Sequence, residues 1–336
     1  MNRIVLPLII MFGCVILARA QSEVRFSQYN EALGYYNPAS AGRSGNLDVL
    51  AMYNIMALGY SSKSLFASAS MPFYFMKREH GIGVAVLSDT QSDFYKDLSA
   101  GLQYAYLKKL GKGKLRVGIQ LGMVSRSVGP SGNTQVITPD DVGNGGNGES
   151  GGSSGSGSSG GGSAGSSGDE AIPTTVIESK AFDMNFGLYY ATDKWYVGAG
   201  VTHITEPEID DEMIQTYIER GYNFIGGYNI RMKNPLLELQ PSVFAQTNFN
   251  MYQVDITAKA VYARRYSAGL SWRTSKGFVL MLGATSGKIE GGYAYSMPLT
   301  PMARATFGGQ ELYLKYRMQL NKPKTGKSKH KSVRIL

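Results

Sequence analysis

The chain is expected to fold as an all-β protein, a transmembrane antiparallel β-barrel of the outer-membrane type with about fourteen strands. Three observations predict this. From residue 47 onward, apolar and polar residues alternate with a period of two over segments about ten residues long, the length at which a tilted strand crosses a bilayer. The polar face of these segments carries charges in mid-strand, which a dry core would not tolerate. Tyrosine is abundant, at 22 residues, and often falls near segment ends, where interfacial girdles form. A soluble two-sheet sandwich also alternates, and charges are ordinary on its solvated face. Strand length and tyrosine placement favour the barrel.

Residues 1–20 read as a signal peptide. Arg3 gives the positive start, residues 4–17 the apolar core, and Ala18-Arg19-Ala20 a small-x-small site for cleavage between Ala20 and Gln21. A membrane-spanning helix needs about 20 apolar residues, and this run is shorter and ends at Arg19. Met11-Phe12-Gly13 makes a poor lipobox for a lipoprotein signal at Cys14. Cleavage removes the single cysteine, so the mature chain needs neither disulfide nor thiolate-bound metal. It also removes Arg3 and Arg19 and no acid, taking the formal charge from +9 to +7. Much of that excess lies at the end of the chain, which argues against a nucleic-acid face, as does export.

Residues 21–46 form an N-terminal segment of mixed aromatics and amides without a period, with a turn at Asn37-Pro38. Ahead of a barrel it reads as a short amphipathic stretch packed in or against the wall, a possible plug. Tyr29, Tyr35 and Tyr36 would pack on the wall, and Gln28, Asn30 and Asn37 would bond to lumen groups.

Residues 47–320 are the expected barrel. Leu115, Val117, Ile119, Leu121 and Met123 alternate with polar or small residues, and Leu312, Leu314 and Tyr316 alternate with Glu311, Tyr313 and Lys315. The charges expected to face the lumen are Arg116, Glu238, Lys259, Glu311, Lys315 and Arg317. Gly118/Gly122 and Gly198/Gly200 fall on the same face, where they ease strand coiling and leave room for a plug. Short connections at 108–113, 192–194 and near Arg264-Arg265 fall on one side. The two longest, 128–181 and 204–220, fall on the other, matching short periplasmic turns and long outer loops. Both termini are then periplasmic.

Within the first long loop, residues 143–168 are almost all Gly, Ser and Asn and are expected to be a disordered external excursion. The second holds Glu206, Glu208, Asp210, Asp211 and Glu212, whose spacing matches no EF-hand. Pro207 with Ile209, Met213 and Ile214 predicts a short helical loop over the mouth. Residues 321–336, with Lys322, Lys324, Lys327, Lys329, Lys331 and Arg334, form a basic periplasmic tail.

Little here points to catalysis. His80, His203 and His330 lie far apart, the zinc-protease and phosphate-loop motifs do not occur, and the Gly-x-Ser-x-Gly spacing of a nucleophile elbow arises only within the low-complexity Gly/Ser run. His203, beside Thr202 and Thr205, is the candidate for a barrel hydrolase, but a strand-end histidine with hydroxyl neighbours reads as structural. The expectation is a protein that is not an enzyme, with no cofactor and no metal.

Phe26-Ser27-Gln28-Tyr29, followed by Asn37-Pro38-Ala39 and Ala41-Gly42, is similar to the N-terminal signature of the PorP/SprF outer-membrane proteins of the type IX secretion system of Bacteroidetes. Residues 98–123, 182–203 and 308–317 resemble the family's internal and closing strands. The Gly/Ser insertion, Ser40 in place of an aromatic, and the basic tail depart from its pattern. The resemblance implies a non-enzymatic component of secretion and gliding machinery in the outer membrane of a Gram-negative bacterium. It implies as partners outer-membrane lipid, a secreted type IX substrate or adhesin, and periplasmic ring components. The alternative function is a solute channel or porin-like transporter, suggested by the charged lumen face.

Overall fold

The structure is a computed structural model that describes residues 24–58, 60–76, 78–91, 95–129, 177–211, 214–274, 277–297 and 308–320. The cleavage site at Ala20 and Gln21, the Gly/Ser run 143–168, the tail 321–336 and His330 lie outside these residues.

The wall is one closed antiparallel sheet. Its strands are β1 (Leu47–Leu58), β2 (Tyr60–Phe75), β3 (Arg78–Gln91), β4 (Tyr95–Leu110), β5 (Gly113–Val128), β6 (Ile177–Ala191) and β7 (Trp195–Thr202). After a separate hairpin, β8 (Glu208–Asp211) and β9 (Ile214–Tyr217), the wall resumes with β10 (Gly221–Tyr228) and β11 (Ile230–Arg231). It ends with β12 (Leu237–Thr247), β13 (Tyr252–Tyr262), β14 (Tyr266–Arg273), β15 (Gly277–Ser286), β16 (Ile289–Met297) and β17 (Gly308–Met318). Only Asn229 separates β10 from β11, and both pair with β12, so they act as one interrupted strand and the wall counts fourteen. Neighbours in sequence are neighbours in the sheet, and pairing of β1 with β17, from Leu47↔Met318 to Ala57↔Gly308, closes the ring. Closure satisfies every ladder and leaves no edge strand, which is what a hydrocarbon solvent demands. No helix among the described residues is long and apolar enough to cross a membrane.

The pleat decides which face meets lipid. On β17, Leu312 and Leu314 are 58% and 59% exposed, whereas Glu311 and Tyr313, which alternate with them, are each 2% exposed. The same alternation holds on β5, where Ile119, Leu121 and Met123 point outward and Arg116 is buried. The apolar face therefore lies outside and the polar face inside, the arrangement of a membrane barrel.

Most strands run a few residues past the apolar bands that announce them. β3, for instance, starts at Arg78 and ends at Gln91, well outside its apolar stretch. Ladder hydrogen bonding needs no lipid-facing side chain, so pairing persists beyond the band. The helical loop expected over 204–220 is instead the β8–β9 hairpin, paired from Glu208↔Tyr217 to Asp211↔Ile214. Ile209, Ile214, Thr216 and Tyr217 are strand formers, and their preference overrides the spacing that suggested a turn of helix.

Leu47 and Met318 share one rim, which also carries the short connections between β2 and β3, β4 and β5, β6 and β7, β11 and β12, β13 and β14, and β15 and β16. β5 ends and β6 begins at the opposite rim, where β7 also leads into the β8–β9 hairpin.

Candidate functional site: the segment inside the barrel

Residues 24–46 touch strands around the whole circumference, so they lie inside the ring. Val24 to Gln28 sit toward the far rim. There the Arg25 guanidinium donates to Gln253 Oε1 on β13 (2.6 Å), and the Asn54 amide on β1 donates to the Arg25 carbonyl (3.0 Å). The segment then descends to Ala41 and Gly42, beside Met71, Gly81 and Arg116 at the rim where β1 begins.

The sequence makes this segment turn tightly. A single-turn helix α1 (Leu33–Tyr36) is followed by a 3₁₀ turn at Pro38–Ser40. Asn37 caps that turn by accepting from the Ala39 N–H (2.9 Å), and Pro38 stands where a free N–H would have no partner. The Asn37 amide also donates to the Leu188 carbonyl on β6 (2.8 Å) and the Ala199 carbonyl on β7 (3.1 Å), fastening the turn to the wall.

The aromatic residues form the core of the barrel. Phe26 meets Tyr35 edge-on at 5.9 Å and Phe66 of β2 at 5.6 Å, while Tyr29 stacks on Phe244 of β12 at 5.0 Å. Leu33, Leu50, Met52, Tyr189, Ile225 and Tyr313 complete the cluster. Each fully buried aromatic contributes about 1.5–3 kcal/mol relative to an exposed one. Burial raises the Tyr29 phenol above its ordinary pKa, so its hydroxyl stays protonated beside Ser242 Oγ, 2.8 Å away.

Charge fixes the register. Glu311 accepts the Ser27 N–H at 2.6 Å and the Gln28 N–H at 2.8 Å, one carboxylate oxygen for each of two successive amides. Arg116 donates to the Ala41 carbonyl (2.9 Å), the Gly42 carbonyl (3.2 Å) and Glu79 (3.1 Å). Glu31 lies 2.8 Å from Lys315 Nζ and 3.6 Å from Lys259 Nζ. Burial works to raise the Glu31 carboxyl, but the two ammonium groups outweigh it and hold it well below the usual carboxylate range. The arrangement is a set of fixed ion pairs and backbone clamps, and it positions the segment.

Of the six charges expected on the inner face, Arg116, Lys259, Glu311 and Lys315 therefore meet the segment. The other two do not. Glu238 faces Arg264 at 3.9 Å, and Arg317 bonds to Asp48 at 3.0 Å, both near the rim that holds Leu47. Of the signature residues, Phe26, Ser27, Gln28, Tyr29, Asn37, Pro38, Ala39 and Gly42 are all buried. A side chain at Gly118 would run into the backbone of Pro38 and Ala39, and one at Gly200 into the Tyr36 carbonyl. Gly122 instead abuts Ala100 and Gly101 of the neighbouring strand. Gly81 and Gly187 make equally close approaches, to Ala41 and Asn37, without having been singled out in the sequence. Two buried pairs lie outside every sequence motif. Arg273 embraces both oxygens of Asp255 at about 3 Å, an ion pair, and the His203 imidazole brings Nδ1 to 2.9 Å from Asp183 Oδ2.

The His203 pair is a bracket at the end of β7. His203 has a left-handed φ of 54°, its N–H donates to Asn185 Oδ1 at 2.8 Å, and Thr205 Oγ1 reaches Asp183 at 3.4 Å. These bonds hold the strained residue from which the chain leaves the wall. Among the described residues, no group of three His, Cys, Asp or Glu side chains could hold a metal ion.

The family described as type IX secretion system membrane protein PorP/SprF matches residues 18–316. The chain belongs to the PorP/SprF family. The match spans both the inner segment and nearly all of the PorP/SprF wall. Solved structures of similar fold include toluene transporters of Ralstonia pickettii and Pseudomonas putida. The first is 11% identical, covers 87% of this chain and 94% of its own, and has a TM-score of 0.47. The second is 12% identical, covers 85% and 93%, and has a TM-score of 0.44. The β domain of the Bordetella autotransporter BrkA is 9% identical, covers 82% and 99%, and has a TM-score of 0.34. The comparison with curated proteins returns no match. This PorP/SprF protein is a closed fourteen-stranded membrane β-barrel of a secretion-system family.

Proposed function

We propose that this barrel is a closed, non-enzymatic docking component of the type IX secretion and gliding machinery in the outer membrane. It supports export of a secreted substrate or adhesin, or holds that protein at the cell surface. The rim carrying Leu47 and Met318 faces the periplasm and the ring components there, and the rim with the long loops faces outward. One observation carries this reading: the interior is filled by the chain's own residues 24–46, clamped by Glu311, Arg116 and the Glu31–Lys315 pair. A wall built around a fixed filling suits docking of a partner better than passage of solute.

The solute-channel reading started from inward charges, but four of those six are occupied in holding the segment. Single-channel recording of the mature protein in planar bilayers separates the two. Near-zero conductance is expected, and a large steady conductance would overturn the docking reading. Deleting the gene should abolish surface display of a cognate secreted protein; unchanged display would count against a role in secretion.

A further inference from the structure

The rim that carries Leu47 and Met318 is basic all the way round. Each of its six connections brings at least one exposed cation in it or on the residue next to it: Arg78 at the start of β3, then Lys112, Lys194, Lys233, Arg264 (exposed, though 3.9 Å from Glu238) and Lys288. Lys108, Lys109, Arg231 and Arg265 add exposed charges beside them. Asp193 is the single carboxylate in the connections themselves. Glu79, the acid nearest the first connection, is already engaged by Arg116 and Lys114. One step inward along the wall lies a belt of exposed apolar side chains, with Phe75, Leu110, Trp195, Tyr228, Tyr262 and Tyr266 among them. Aromatic residues at that position mark the boundary between hydrocarbon and headgroups, so the cations stand at headgroup depth. Arg78 lies over the Tyr106 ring at 5.8 Å, and such stacking lets a guanidinium stay at that depth.

We propose that this basic rim is a binding surface for the phosphate headgroups of anionic phospholipid in the surrounding leaflet. The distribution of charge decides for lipid over a protein partner. A protein docking from one side needs a patch on one arc, whereas these cations are spread over all six connections, as an encircling leaflet requires. Charge complementarity supplies the attraction, each cation near an anionic leaflet favouring it about fivefold. The proposal depends on the barrel lying in a membrane and not on its part in secretion, so either can fail without the other.

The two tryptophans provide the test, because they stand at opposite ends of the wall. Trp195 opens β7 beside Lys194, whose carbonyl accepts the Asn229 N–H at 2.6 Å and so brings the Arg231 and Lys233 connection alongside. Trp272 lies near the other end, one residue from the end of β14. The full mature chain, as Trp272→Phe or as Trp195→Phe, is reconstituted into phosphatidylcholine vesicles containing bromine-labelled phosphatidylglycerol or bromine-labelled phosphatidylcholine at equal mole fraction. Trp195 fluorescence should show a several-fold preference for the anionic lipid that collapses in 1 M salt, where screening acts within about 3 Å. Trp272 should show none. Combining Lys194→Gln, Arg231→Gln and Lys233→Gln, all on exposed side chains, should abolish the preference at Trp195. Equal quenching of Trp195 by both lipids would overturn the proposal and leave the cations to an acidic protein surface. A preference that survives the triple substitution, or that appears equally at Trp272, would overturn it too.

Discussion

Two sides of the same wall hold the inner segment by opposite means. Along β5, β6 and β7 the segment lies directly on glycines: Gly118 under the backbone of Pro38 and Ala39, Gly187 under the Asn37 side chain, and Gly200 under the Tyr36 carbonyl. Along β13 and β17 the wall reaches out with long charged side chains, Lys259, Glu311 and Lys315. One side works by vacancy, so that the turn at Asn37 lies close enough to donate to wall carbonyls. The other works by charge across a wider gap. Shape therefore sets where the turn at Asn37 sits, and charge sets the register, from β13 and β17 on one side and from Arg116 of β5, near the end of the segment, on the other. A barrel wall can recognise its own filling without a single continuous surface of one chemistry.

The contrast can be broken from either side. The largest effect is expected from Gly118→Val combined with Gly187→Val. The new side chains would meet backbone and the Asn37 side chain with no room to yield, so the segment should leave the wall. Planar-bilayer conductance should rise from near zero, and Arg25 and Arg43 should become open to trypsin. Retained closure would show that charge alone suffices. Glu31→Gln attacks the other side by leaving Lys259 and Lys315 facing each other without a counter-charge. Loss of one partner from a buried pair costs about 3–5 kcal/mol, which thermal unfolding in detergent should register as a lowered midpoint. Asn37→Ala removes one cap and two bonds to wall carbonyls and should cost about 1–3 kcal/mol by the same measurement.

The smallest effect sharpens the charge side. The Glu31 carboxyl is depressed below its ordinary 4.5, so its contribution is fully present above that value and is lost only as pH falls through the lower folded value. The thermal midpoint lost on Glu31→Gln should therefore be the same at pH 8 and at pH 5. A loss that shrinks toward pH 5 would show that Glu31 is not held by the two lysines.

Much of the wall was legible because period two reports directly on a sheet with one oily and one wet face. The bounds of β12 and β14 follow from their residues alone. The Arg273–Asp255 pair was legible as well, had register been counted. Tyr262 faces Tyr266 across a three-residue connection, and stepping back along both strands brings Asp255 opposite Arg273. The partners of the inner segment were not legible. That Lys259 and Lys315 converge on Glu31 depends on how far the ring curves, and no local pattern along either strand encodes it. The β8–β9 hairpin was misjudged for a related reason, since a short acidic loop carries too few apolar positions for one period to prevail over another.

The wall seals only when β17 meets β1, so its last-made strand must find its first. Residues 24–46 precede both in the chain. They need not be threaded through a finished tube: the sheet can be wound about a kernel already tethered to its first stave, as a cooper raises a cask around its contents.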